Sequence, residues 1–256
     1  MSDDLVSIIT PSHNCGPFLR DAISSMLAQT YTNWELILVD DFSTDNTQEI
    51  VNSYKDSRIR YFRNDERIGA ALSRNRALRE AKGRWIAFLD GDDYWLPNKL
   101  EHQIRFMQDH NYHFSYHEYS EITEDGSLRG INVSGKRRVT KLDMYSCCWP
   151  GCLTVMYDAD YVGLIQIRDV AKNNDTAMWL RVIQKTECYL LKENLARYRR
   201  RKESITPPGL HARIYWHYRL FSDAEQMNPV AAWFWTGMNM AGNMFKKVFY
   251  VTKQTS

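Results

Sequence analysis

The chain has 256 residues, 44% hydrophobic and 25% charged, and its 33 Lys and Arg against 31 Asp and Glu leave a net charge of +2. It is long enough to bury a full core as one large domain or as one domain with an appendage. No apolar run reaches the roughly 18 residues of a membrane span, and MSDDLVSIITPSHN has neither a basic lead-in nor a small-residue cleavage site, so a cytoplasmic protein is expected.

LVSIIT, residues 5–10, is a β-branched apolar run that reads as a buried strand stopping at Pro11. From Pro17 to Gln29 the apolar residues Phe18, Ala22, Ile23, Met26 and Leu27 recur at three and four, which predicts an amphipathic helix. WELILVDD is a second strand ending in Asp40 and Asp41. FSTDNTQEIVNSY opens with Ser43, Thr44 and Asp45 as candidate N-caps and continues as a second helix. RIRYFRN predicts a third strand, GAALSRNRALREAKG a third helix closed by Gly83, and RWIAFLD a fourth strand.

Strands and helices alternating at this spacing imply an α/β domain whose parallel sheet is covered on both faces. Ligands of such sheets bind beyond the carboxyl ends of the strands. Asp40, Asp41, Asp90, Asp92 and Asp93 all fall at those ends, so the two acid clusters should share one rim. Helix capping accounts for one carboxylate at a time. The three in LDGDD suit a divalent cation better, with Gly91 letting the chain turn so that Asp90 and Asp92 face one ion or its waters.

Further on, HFSYHEYSEITEDGSL predicts a hairpin through Glu124, Asp125 and Gly126. GKRRVTKLDMYSCCWPGCLTVMYDADYV predicts a loop, a short helix and a strand at CLTVMY. NNDTAMWLRVIQKT predicts a helix entered through Asn174 and Asp175 that buries Met178, Trp179 and Val182, and ECYLLKENLARYRRRKESIT an edge strand pair ending in a basic loop. His110, His113 and His117 alternate like strand residues rather than metal ligands. Cys15, Cys147, Cys148, Cys152 and Cys188 fit neither a disulfide framework nor a CxxC pair, so reduced thiols are expected. The resulting division is residues 1–206 as a catalytic domain, with halves 1–98 and 99–206, and residues 207–256 as a basic, aromatic helical extension beginning at Pro207 and Pro208.

VSIITPSHN, AISSMLAQTYTNWELILVDDFSTDNT, RNDERIGAALSRNRALREAKGRWIAFLDGDD, NNDTAMWLR and YRRRKESIT, in this order, resemble the inverting glycosyltransferases of family 2, which have the GT-A fold. The resemblance implies that the loop Pro11 to Asn14, with His13, and Asp41 contact the nucleotide, and that Gly69, Arg74 and Asn75 lie beside the donor pocket. It further implies that Asp90 and Asp92, around Gly91, hold Mn2+ or Mg2+ against the donor diphosphate, and that Asp175 is the catalytic base. The family usually has Tyr at His13, Glu at Asn174, and Tyr-Arg-x-His where this chain has Tyr198, Arg199, Arg200 and Arg201. The first change makes a ring contact pH-sensitive, the second removes a charge beside the base, and the third places Arg201 to stabilise the leaving phosphate.

The charge is uneven. From Lys192 onward eleven Lys or Arg face four Asp or Glu, a net of +7 that leaves −5 for residues 1–191. Residues 209–256 add Trp233, Phe234, Trp235, Met238, Met244, Phe245, Phe249 and Tyr250 beside Lys246, Lys247 and Lys253. Such a segment suits a membrane interface, or an amphipathic helix packed on the catalytic domain or on a second subunit of a homodimer. Nucleic acid is not an expected partner, because the basic charge is concentrated at one end while the cleft is acidic.

The function expected is metal-dependent transfer, with inversion, of a hexose or N-acetylhexosamine from a UDP-sugar to a sugar hydroxyl. The acceptor would be a surface glycan carried on a polyprenyl diphosphate, at the inner face of the cell membrane. The alternatives are a noncatalytic binding subunit of the same fold and a sugar nucleotidyltransferase. The latter lacks its usual Gly-rich, cationic loop in TPSHNCGPF.

Overall fold

The structure, a computed structural model, describes residues 4–201 and 209–253. The first half alternates β1 (Val6–Ser12), α1 (Gly16–Leu27), β2 (Trp34–Asp40), α2 (Thr47–Ser53), β3 (Ile59–Arg63), α3 (Ala70–Glu80) and β4 (Trp85–Phe88). It continues through β5 (Tyr94–Trp95), α4 (Lys99–His110), β6 (Phe114–Ile122), β7 (Leu128–Val133), β8 (Arg138–Val139) and α5 (Lys141–Ser146). Then come β9 (Met156–Asp158), α6 (Ala159–Val162), α7 (Asn174–Val182) and β10 (Cys188–Arg199). The C-terminal segment adds α8 (Leu210–Arg219), a π-helical turn at Leu220–Ala224, α9 (Pro229–Phe249) and β11 (Val251–Lys253). The boundary expected at Pro207 and Pro208 lies outside the described residues.

One mixed sheet runs in the order β11-β7-β6-β9-β4-β1-β2-β3, and β10 pairs with β5, β6 and β8 beside it. β1 to β4 are mutually parallel, as the alternation of strands and helices requires. The period of two divides their side chains between two cores. Val6, Ile8, Leu36, Leu38, Ala87 and Leu89 meet α1, α2 and α4 on one face. Ile9, Ile37, Val39, Ile86 and Phe88 meet α3 and α7 on the other. Each such fully buried side chain contributes about 1.5–3 kcal/mol. Having stepped outward through β2 and β3, the chain returns to the far side of β1 as β4. The carboxyl ends of β1 and β4 therefore border a switch-point crevice, where this class of sheet binds ligands.

Several boundaries differ from the sequence-based expectation for physical reasons. β1 continues through Pro11 to Ser12, because its pairing with β4 ends at Ile9↔Phe88 and the missing N–H of Pro11 is not needed on that side. The N-cap of α2 is Asn46, not Ser43, Thr44 or Asp45, and Asp45 accepts from the N–H groups of Thr47 and Gly16. Of CLTVMY, only Met156 onward is strand, preceded by a 3-10 turn at Cys152–Thr154. The expected edge pair at 187–200 is one strand, β10, that runs parallel to β6. The ladder shifts register on either side of Asn194, between Leu191 and Ala196, so one strand continues through the polar residues. His110 ends α4, His113 pairs with Asp158, and only His117 lies in a strand.

Gly83 is not the helix terminator expected. α3 ends at Glu80 with Ala81 as its C-cap, and Gly83 sits against β1, where a Cβ would lie 2.5 Å from the Leu5 carbonyl oxygen and 2.7 Å from the Ser7 nitrogen. The Gly83 and Lys82 N–H groups are satisfied by Ser7 Oγ and by the buried Glu35. Gly83→Ala should destabilise the fold by about 1–3 kcal/mol through backbone overpacking. Urea unfolding would measure it, and an unchanged midpoint would contradict the close approach.

Candidate active site

Two loops form one wall of the crevice. After β1, His13 Nδ1 donates to the Asp41 carbonyl at 2.8 Å. Asn14, at φ 50°, donates its N–H to Ser43 Oγ and accepts from the Thr44 N–H, so the residues after β1 are clasped to those after β2. Pro11 is buried at the end of the strand. Asp40 accepts from Ser43 and from the Tyr61 hydroxyl at 2.7 Å, which makes it a turn-former.

Asp41 is buried and receives four donors: the N–H groups of Ile68 and Gly69 at 2.8 Å, the Asn64 amide at 2.9 Å and the Ser73 hydroxyl at 3.1 Å. Burial alone would push its pKa up, and these donors outweigh that and hold it below the usual carboxylate range. Asp41 thus fixes the entry to α3, where Gly69 takes φ +89°, a backbone conformation that glycine tolerates. Asn75 is likewise committed, with its amide bonded both ways to the backbone of Ile167.

The opposite wall is the turn after β4. Gly91 packs it against the first loop, since a Cβ there would lie 3.3 Å from both Cys15 Cβ and Ser12 Oγ. The three carboxylates then part. Asp93 is buried and accepts the Arg199 N–H at 2.8 Å. Asp92 is partly open and faces Arg201 Nη1 at 3.4 Å. Asp90 is also partly open and pairs with Arg74 Nη2 at 3.0 Å.

Arg74 carries the arrangement across the cleft. From the middle of α3 it donates through Nη2 to Asp90 and through Nη1 to Asn174 at the start of α7. Its charge feels Asp175, the next residue. Burial works against the guanidinium charge, and Cys152, Asp90 and Asp175 more than offset it, so Arg74 stays protonated. The Asn that replaces the family's Glu at 174 removes a charge but keeps the acceptor Arg74 needs. Asp175 Oδ1 accepts from the Thr176 N–H at 2.7 Å. Asp90, Asp92, Arg74, Asn174 and Asp175 therefore converge.

Sequence reasoning missed two contributors. Arg199 is buried and donates to the Asp92 carbonyl at 2.8 Å, the Glu124 carbonyl at 2.7 Å and Asp21 at 2.7 Å, tying the turn after β4 to β10, the hairpin and α1. Its signal was the Tyr-Arg element, in which Arg201 drew attention instead. The second is the C-terminal segment. Asn173 donates to the Trp216 carbonyl of α8 at 3.2 Å, and His217 lies within electrostatic reach of Asp175. The extension is therefore packed against the catalytic body.

Crowded acids leave a signature. Burial, then Asp92 and Asp90, push the Asp93 pKa well above the usual range, and burial with Asp92 and Asp175 raises Asp90 despite Arg74. A group raised in the folded state favours folding at low pH and loses that contribution as pH rises through its folded pKa. Asp93→Asn, which keeps an oxygen for Arg199, should stabilise the protein at pH 7 by about 0.5–2 kcal/mol. The gain should shrink as pH falls toward 4, and urea midpoints across that range would show it. A gain independent of pH would contradict the assignment.

Residues 7–142 match the profile of Glycosyl transferase family 2. The chain is 37% identical over 248 residues to TuaG of Bacillus subtilis, a protein assigned to teichuronic acid biosynthesis, covering 95% of this chain and 97% of that one. It is 44% identical over 184 residues, 72% of each chain, to the Escherichia coli UDP-Glc:alpha-D-GlcNAc-diphosphoundecaprenol beta-1,3-glucosyltransferase WfgD. Among solved structures, Staphylococcus aureus TarS 1–349 in complex with UDP-GlcNAc superposes with a TM-score of 0.68 at 18% identity, over 89% of this chain and 69% of that one. The mannosyltransferase PcManGT of Pyrobaculum calidifontis, in complex with GDP-Man and Mn2+, superposes with a TM-score of 0.62 at 18% identity, over 93% of this chain and 74% of that one. With the alternating half-sheet and the convergent acids, these similarities identify the chain as a member of glycosyltransferase family 2 with the GT-A fold.

Proposed function

We propose that the enzyme transfers a hexose or N-acetylhexosamine from a UDP-sugar, with inversion, to a sugar hydroxyl of a polyprenyl-diphosphate-linked glycan at the cytoplasmic face of the membrane. The observation that carries this reading is Arg74, which bonds both Asp90 and Asn174, the latter a hundred residues further along the chain, and so sets a diphosphate-type acid turn beside a candidate base. The name of WfgD, with its UDP-glucose donor and diphosphoundecaprenol acceptor, supports both substrate classes. The UDP-GlcNAc complex of TarS supports the nucleotide.

Asp90 and Asp92 suit a hard divalent cation. They are partly open carboxylates on one turn. This matches an Mn2+ or Mg2+ site completed by substrate phosphates. Bound there, the ion would neutralise charge on the departing nucleoside diphosphate. Arg201, beside Asp92, would be a cation for the same phosphates, and the His13–Asn14 loop, Asp41 and Gly69 are the residues proposed for the nucleoside.

A sugar hydroxyl attacks C1 only as its proton leaves, and in this reading Asp175 takes it. Its two hydrogen bonds, from the Thr176 N–H and hydroxyl, both fall on Oδ1, which leaves Oδ2 for the acceptor. One displacement forms the bond from acceptor oxygen to C1 and breaks the bond from C1 to the diphosphate oxygen. The proton goes to Asp175 and the electron pair to UDP. Asp175→Asn should keep UDP binding and lower the transfer rate by about 10² to 10⁴. Transfer at the wild-type rate in that variant would overturn the role of the base.

A further inference from the structure

The outer face of α9 takes no part in the proposed reaction, and its pattern is inverted. Ala232 and Trp235 pack inward near its start, and Thr236, Asn239, Gly242, Asn243 and Lys246 continue the face turned toward the protein. Asn239 donates to the Tyr145 carbonyl at 2.9 Å and accepts from Asn243 at 2.8 Å. Lys246 Nζ donates to the carbonyls of Cys148 at 3.0 Å and Trp149 at 2.6 Å. Gly242 lies so close to α5 that a Cβ would sit 2.0 Å from the Ser146 carbonyl oxygen. The polar stripe is therefore locked inward.

Facing away are Trp233, Phe234, Met244, Phe245, Val248 and Phe249, between 49% and 72% exposed. A helix seated on a soluble protein ordinarily buries that set and exposes the other. Rotating α9 would break the Asn239 and Lys246 bonds and drive its side chains into Ser146, so the apolar face is outward by construction. Exposed Leu210 and Tyr215 of α8 add to it. Its charge has one sign: Lys247, Lys253 and Arg213 are exposed, and no Asp or Glu occurs from Gln226 to Lys253. Among the described residues no helix is long and apolar enough to cross a membrane.

Outward aromatics with flanking cations and no acid match an anionic bilayer surface, with rings at headgroup depth and lysines on lipid phosphates. We propose that the outer face of α9, extended by the exposed residues of α8, is the surface by which this enzyme lies on an anionic membrane. The proposal deepens the reading of a lipid-linked acceptor and rests on it for its purpose. Lys246 ties α9 to the Cys148–Trp149 loop through both carbonyls.

The test is flotation of the full chain with phosphatidylethanolamine–phosphatidylglycerol vesicles and with phosphatidylcholine vesicles, for wild type and for Trp233→Ser/Phe234→Ser. Thermal melts and UDP-glucose hydrolysis without vesicles are measured on both proteins. Wild type should float with the anionic vesicles, and the double variant should bind them about tenfold or more weakly. Hydrolysis should be the same in both proteins and melting should change little, since both side chains are more than half exposed and meet only Tyr218 and Trp235 through their rings. No flotation of wild type, or equal flotation of both, would overturn the proposal. So would a wild-type dimer in light scattering that the double variant abolishes, because a second copy would then cover the face. Flotation lost in the variant with no hydrolysis of any UDP-sugar by either protein would retain the membrane surface and overturn the proposed reaction instead.

Discussion

A single buried guanidinium ties α3, the turn after β4 and the start of α7 together at the rim of the sheet. Arg74 is buried in the middle of α3, and without acceptors on both sides its charge would be costly there. Asp90 arrives from β4 and Asn174 from α7, and the planar fork of Arg74 meets both at once. Replacing it with lysine would leave one acceptor unmet. α3, the turn after β4 and the start of α7 thus meet at one guanidinium, on a sheet that β9 makes continuous between β4 and β6.

The acids at the rim divide their work according to what surrounds each one. Asp40 and Asp41 are consumed by the turns that they build, and Asp93 by the end of β10. Only Asp90 and Asp92 keep oxygen atoms toward the cleft. Concentrating charge this way is unfavourable in the protein alone, as the raised pKa values of Asp90 and Asp93 record. The divalent cation proposed for this turn would relieve that cost, which is the usual relation between a site's function and its stability.

Much of this was legible in the sequence where local pattern decides structure. The alternation of LVSIIT, WELILVDD and RWIAFLD with amphipathic helices gave the parallel half-sheet, and parallel sheets place their strand ends, hence the acids, on one rim. The division of labour among those acids was not legible, because each is decided by a partner far along the chain: Asp41 by Ile68 and Gly69, Asp93 by Arg199, Asp90 by Arg74. Gly83 read as a helix end because glycine serves that role often, while the close approach to Ser7 exists only in the folded sheet. For α9 the period of the helix was visible but not its sense. Thr236, Asn239, Asn243 and Lys246 repeat as regularly as the aromatics, and only contact with α5 and the Cys148–Trp149 loop shows which stripe is inside.

The central claim is that the crevice between the ends of β1 and β4 receives a metal-bound nucleoside diphosphate. Calorimetric titration of UDP, with and without Mn2+, into wild type and Asp92→Asn tests it most directly. The substitution changes a partly open side chain, so the fold should survive it. Metal-dependent binding by wild type, weakened about tenfold or more in the variant, is the predicted result. Equal UDP affinity in the two proteins with Mn2+ present, or no UDP binding by wild type under either condition, would contradict it.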